Sequence, residues 1–89
     1  MRGFMPIEGE GAVALVLVTT DPGDEARVMA EVKAVKGVQE CLLLFGEYDL
    51  FLRIEAYSYA QVSAIVLQSI RTIEGVQTTK TLTTAPSLD

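Results

Sequence analysis

The residues best suited to chemistry lie together in one short segment, Gly46-Glu47-Tyr48-Asp49, between two apolar runs. Asp49 follows an aromatic residue and precedes an apolar stretch, so its carboxylate is placed to accept hydrogen bonds from backbone N–H groups or from the ammonium of a ligand. Alternatively, Asp49 stabilises a turn by bonding to its own backbone. Tyr48 is also consistent with a packed aromatic residue, and Gly46 with a glycine that the turn requires.

Composition excludes several other kinds of site. The 89 residues include no histidine and one cysteine, so one chain cannot hold a Ser-His-Asp or Cys-His arrangement or a metal site rich in these residues. Neither standard glycine-rich phosphate loop occurs. A formal net charge of -5 argues against direct DNA binding. We therefore expect no cofactor, and we expect Cys41 to be a small buried apolar residue in a reducing cytoplasm.

The elements that position the hairpin segment follow from the spacing of apolar residues. The run Ala12 to Val18 has the length of a strand and not of a membrane helix, so no membrane contact is expected. Ser58 and Gln61 form the pattern of a capping box at the start of the second helix. The predicted order is β-α-β-β-α-β, with strands over 12–20, 38–45, 50–56 and 76–84, a first helix from Pro22 to about Lys36 capped by Asp21, and a second from Ser58 to Gly75.

An internal repeat supports this division. Gly37-Val38-Gln39 recurs as Gly75-Val76-Gln77, and each copy follows a helix and opens a strand. Two β-α-β halves in tandem predict an α+β, ferredoxin-like fold: a four-stranded antiparallel sheet with both helices on one face. The other face would be bare, and because the first strand is apolar throughout, we expect dimerisation through the sheet. The predicted organisation is a flexible N-terminal arm (1–11), one domain (12–85) and a C-terminal tail (86–89).

With these elements in place, the chain resembles the effector-binding domain of the leucine-responsive and asparagine-regulator (Lrp/AsnC) transcription factors, also called the RAM domain. The resemblance rests on the Gly46-Glu47-Tyr48-Asp49 hairpin, the element order, and Gly75-Val76 leading into Thr79-Lys80-Thr81. It covers about Ala12 to Thr84. Because the residues before the first strand are too few for a helix-turn-helix, the resemblance is to a stand-alone member, for which a full-length Lrp/AsnC regulator is an expected partner.

The resemblance implies a non-enzymatic sensor: dimers assembled into a ring, with a small amino-acid effector bound between dimers. The chemistry of an amino acid suits Asp49 to the ammonium, the hairpin N–H groups and the hydroxyl of Thr83 or Thr84 to the carboxylate, and Leu43, Tyr59 or Leu82 to the side chain. The positions that it implies for the effector are Leu43, Gly46, Tyr48, Asp49, Tyr59, Leu82, Thr83 and Thr84. Two alternatives stay open from the sequence, namely a small enzyme of the dimeric α+β barrel kind and an assembly module without a ligand.

Overall fold

The computed structural model describes residues 11–85, so the expected arm and tail lie mostly outside the described residues. Each neighbouring pair of strands in the sheet is antiparallel, and the strand order is β2-β3-β1-β4. The predicted ferredoxin-like order of elements is confirmed. In chain order the elements are β1 (Ala12–Thr20), α1 (Glu25–Lys33), β2 (Val38–Leu43), β3 (Leu50–Ala56), α2 (Tyr59–Ile65), which continues as a π-helical turn (Val66–Ile70), and β4 (Val76–Thr83).

The core lies between the sheet and the two helices. In β1 and β3 every second residue is buried, as expected for strands that turn one face to the core. Val28 and Val32 of α1 and Val62 of α2 belong to the same buried cluster as those strand residues. Both helices therefore cover the same face of the sheet, as the sequence predicts.

The first helix is shorter than the sequence predicts. It begins at Glu25 after Asp24, and not at Pro22 after Asp21, because residues 21–24 form a turn in which the Asp24 N–H donates to the Asp21 carbonyl at 3.0 Å. Gly23 makes this turn possible with a φ of +89°, a conformation that glycine adopts without a steric penalty. The helix ends at Lys33, three residues before the predicted end.

The second helix matches its predicted start closely. The Ser58 hydroxyl accepts from the Gln61 N–H at 3.1 Å, which is the predicted cap. The Gln61 side-chain carbonyl accepts from the Tyr57 N–H at 2.8 Å, one residue before the donor that a standard capping box uses. Further along, the Arg71 N–H donates to the carbonyl of Val66, five residues earlier, and so closes the π-helical turn.

The opposite face of the sheet has no covering element within the described residues. In the single chain, Val13, Leu15 and Leu17 of β1 are only half-buried there. The sequence predicts that a second copy covers this face. By strand register, Phe51 lies beside Leu17 on the same face. This apolar face is the surface that the predicted dimer would bury.

Candidate functional site

The segment singled out by the sequence forms the loop between β2 and β3. Strand pairing ends at Leu43 opposite Leu50, and the Leu44 N–H donates to the Asp49 carbonyl at 2.9 Å to close the loop. The second strand therefore ends two residues before the predicted Phe45. Gly46 has a φ of +135°, and a Cβ built there would meet no atom within 4 Å. Glycine at this position thus serves the backbone conformation and does not relieve crowding.

Asp49 anchors this loop to the end of β1. Its Oδ2 accepts from the backbone N–H of Thr20 at 2.8 Å, with the Thr20 hydroxyl 3.4 Å away. The Asp49 N–H donates to the Val18 carbonyl at 2.8 Å. The carboxylate therefore bonds to the backbone of a distant strand and not to its own turn. Within residues 11–85, its Oδ1 has no hydrogen-bond partner.

A second group of the implied effector residues lies around the end of β4. The Tyr59 hydroxyl donates to the Thr84 carbonyl at 3.0 Å, and the Thr84 N–H donates to the Val13 carbonyl at 3.1 Å. Thr83 lies opposite Ala14 in β1. Leu82, opposite Leu15, projects to the open face of the sheet and so away from the Thr83 side chain. Tyr59 and Leu82 both keep substantial exposed surface.

The effector residues of the β2–β3 loop and those around the end of β4 lie at opposite ends of the sheet. Leu50, next to Asp49, pairs with Val18, whereas Thr83 pairs with Ala14, four residues away along β1. At the rise of a strand this offset is ~13 Å. The ammonium and carboxylate of an α-amino acid are much closer together than that. One chain therefore does not bring the eight sequence-derived residues together.

A separate cleft of about 460 Å³, which sequence analysis missed, lies where the α1–β2 turn, the end of β3 and α2 meet. We call it the Gly37 cleft. Its lining includes Val35, Lys36, Gly37, Gln39, Ile65 and Ser69. None of the eight implied effector residues lines it. The repeated Gly37-Val38-Gln39 is the sequence feature that could have indicated this cleft, but the sequence analysis used it only to predict the start of a strand.

The described residues were also compared with the predictions for metal binding, for Cys41 and for membrane contact. No group of three histidine, cysteine or acidic residues within 11–85 is arranged to hold a metal ion. Cys41 is buried in the core as predicted, and burial raises the pKa of its thiol. Across the same described range, neither helix has the length and apolar character needed to span a membrane.

Comparison with known proteins identifies the family. A family model described as the Lrp/AsnC ligand binding domain matches residues 13–85. The chain belongs to the Lrp/AsnC family. This confirms the resemblance noted in the sequence, and the matched region coincides with the folded domain described above.

Three relatives of this Lrp/AsnC domain illustrate its range. An uncharacterized HTH-type transcriptional regulator of Pyrococcus furiosus is 32% identical over 75 residues, which cover 81% of this chain and 50% of that protein. Homocitrate synthase of Sulfolobus acidocaldarius is 30% identical over 81 residues, covering 90% of this chain but 17% of the enzyme. The structure of a Neisseria meningitidis transcriptional regulator in complex with L-Met has a TM-score of 0.76 at 22% identity, covering 100% of this chain and 62% of that one. The chain thus spans about half the length of the curated regulators it matches.

Proposed function

We propose that this Lrp/AsnC domain is a cytoplasmic, non-enzymatic sensor that binds a small amino acid between copies of the chain and so modulates transcriptional regulation. Membership of a ligand-binding family and the regulators among its relatives support the regulatory role. The complex of the Neisseria protein with L-Met supports an amino acid as the class of effector. Binding would act by favouring one arrangement of subunits over another.

The observation that carries the proposal is the state of the Asp49 carboxylate. One oxygen is held by the Thr20 N–H at 2.8 Å, and this bond fixes the orientation of the group. The other oxygen has no partner among the described residues. A carboxylate with one bonded oxygen and one available oxygen is suited to accept an ammonium. Because its orientation is already fixed, less conformational entropy is lost when the charge-assisted hydrogen bond forms. Tyr48, the preceding residue in the loop, is partly buried.

A complete site requires more than one copy of the chain. Asp49 and Thr83 lie at opposite ends of β1, so a single amino acid can contact both only if they come from different subunits. Packing of the open apolar face against a second copy would form a dimer. Contacts between the hairpin end of one dimer and the β4 end of another would then build the proposed ring, with Tyr59, Thr83 and Thr84 facing Asp49 across the contact.

Direct DNA contact is not part of this proposal. The net charge of -5 is unfavourable for a phosphate backbone. A full-length Lrp/AsnC regulator that joins the same assembly would supply the DNA-binding part.

Native mass spectrometry with a panel of free amino acids tests this function. We expect an assembly of dimers whose mass or stability changes with one amino acid. Asp49→Asn keeps an oxygen that can accept from Thr20 but removes the charge, so it should abolish that response. Glu47→Gln, in the same loop, removes a charge without touching Thr20 and should preserve it. A simple dimer indifferent to every amino acid would contradict the sensor and favour the assembly module.

A further inference from the structure

We propose that the Gly37 cleft is a second ligand site, distinct from the amino-acid site, and that it takes a small carboxylate with an aliphatic tail and no ammonium group. The cleft is open to solvent on one side and has a volume of about 460 Å³, which is within the usual range for small-molecule sites. It lies at the end of the sheet away from the β2–β3 loop, because it is lined by Ala56, which pairs with the first residue of β1.

The shape of the cleft depends on a glycine. Gly37 has a φ of +102°, and a Cβ built there would lie 2.9 Å from Ile65 Cδ1 and 3.5 Å from the Glu55 carbonyl oxygen. A side chain at this position would therefore push Ile65 and occupy the space between the turn and α2. The absence of a Cβ also leaves the backbone of the turn open to an approaching ligand.

Several hydrogen-bond donors lie around the cleft. Among the described residues, the backbone N–H groups of Lys36 and Gly37 donate to no backbone carbonyl, and the Lys36 ammonium forms no ion pair. Successive N–H groups before and at a residue of positive φ form the kind of concavity that binds anions. The Ser69 hydroxyl and the Gln61 side-chain amide add further donors at the wall formed by α2.

Gln39 reaches the cleft because the strand is irregular there. The pairing of β2 with β3 shifts between Val38 and Glu40, so Gln39 is the extra residue of a β-bulge. Bulges redirect a side chain relative to the regular alternation of a strand. The amide of Gln39 thereby joins the donors of the turn.

The cleft lacks an acidic group for an ammonium. Glu55 is the one acidic residue in its lining, and its carboxylate is ion-paired with Arg53, on the same face of β3. Val35 and Ile65 supply apolar surface. The acceptors in the lining are neutral oxygens, whereas Lys36 and the N–H groups of the turn are suited to a negative charge. Beside an apolar wall, this arrangement favours a carboxylate that carries a short aliphatic tail. The same chemistry disfavours a zwitterionic amino acid, whose ammonium would be left without a partner.

The direct test uses ketoisocaproate as the probe and leucine, which has the same carbon skeleton with an ammonium, as the comparison. Amide NMR spectra of the full chain should show shifts of the Lys36 and Gly37 resonances on addition of ketoisocaproate up to ~10 mM, a level that fills a millimolar site. Leucine should leave these two resonances in place. No movement with ketoisocaproate, or equal movement with leucine, would overturn the proposal.

Two pairs of matched variants separate the site from nonspecific effects. Lys36→Glu should weaken the affinity for ketoisocaproate by ~10-fold or more, whereas Lys33→Glu, with the same change of charge one turn away, should change it by less than ~2-fold. Ser69→Leu should block the cleft, whereas Gln68→Leu, its exposed neighbour, should not. Equal losses of affinity for ketoisocaproate by the two variants of either pair would refute a localised site.

The proposals for this site and for the amino-acid site can be tested independently of each other. Asp49→Asn should leave the affinity for ketoisocaproate unchanged, because Asp49 does not line the Gly37 cleft. Lys36→Glu should leave any amino-acid response in native mass spectrometry unchanged. Loss of ketoisocaproate binding in Asp49→Asn would contradict the separation of the two sites.

Discussion

The bond between Asp49 and the end of β1 makes a quantitative prediction about stability. In Asp49→Ala, the Thr20 N–H loses a charge-assisted bond of 2.8 Å. Thr20 is 5% exposed, so water has little access to replace the lost acceptor. An unsatisfied buried donor costs about 1–3 kcal/mol, and we expect the free energy of unfolding to fall by about 2 kcal/mol.

Asp49→Asn provides the matched comparison. Its amide oxygen can still accept from Thr20, so we expect a loss of about 1 kcal/mol or less. Urea titration at one fixed protomer concentration measures both variants, because association would otherwise shift the apparent stability. With an m value of about 1–2 kcal/mol/M for a chain of this size, the Asp49→Ala midpoint should fall by about 1–2 M.

Glu47→Ala serves as the control in the same loop and should change the free energy of unfolding by less than about 0.5 kcal/mol, as is usual for an exposed residue. Equal losses for Asp49→Ala and Asp49→Asn would refute the reasoning, since the retained acceptor would then have no effect. A loss in Asp49→Ala no greater than that of the control would refute it as well.

Three further perturbations test other parts of the molecule. Gly75→Ala should lower the free energy of unfolding by about 1–3 kcal/mol in urea titration, because Gly75 has a φ of +100°, which residues with a Cβ rarely adopt, and a Cβ there would lie 3.2 Å from Val28 Cγ2. Unchanged stability would contradict that backbone strain. Leu17→Asp, on the open face of β1, should yield a folded monomer by sedimentation velocity and circular dichroism, and an oligomer that persists would count against dimerisation through the sheet. Because burial raises the pKa of the Cys41 thiol, less of it is thiolate at a given pH, so iodoacetamide should react more slowly with native than with urea-unfolded protein. Equal rates would contradict a buried thiol.

The apolar patterns predict the elements well because those patterns are local. Alternate residues of β3 are buried, as its sequence of alternating side chains predicts. Val62, Val66 and Ile70 form the buried face of the second helix, as their spacing of four residues predicts. The start of α1 was wrong by three residues, since a turn stabilised by Gly23 competes with the helical pattern that Pro22 suggests.

The candidate site could be predicted from the sequence only in part. The hairpin containing Asp49 is a local feature and was found. Its bond to Thr20 joins residues 29 positions apart, and no local pattern predicts such a pairing. The Gly37 cleft was missed for the same reason, because its walls come from a turn, the end of β3 and α2, which are distant in the chain.

The sequence by itself determined the order of the elements and the buried faces of the strands and helices, because each depends on residue spacing within short segments. The family was suggested by the resemblance of the hairpin segment to Lrp/AsnC domains. Tertiary structure alone decided which residues meet. The order β2-β3-β1-β4 and the register of β1 set Asp49 at one end of the sheet and Thr83 at the other. Strand pairing is a long-range contact, so the separation of these two residues is visible only once the sheet has formed.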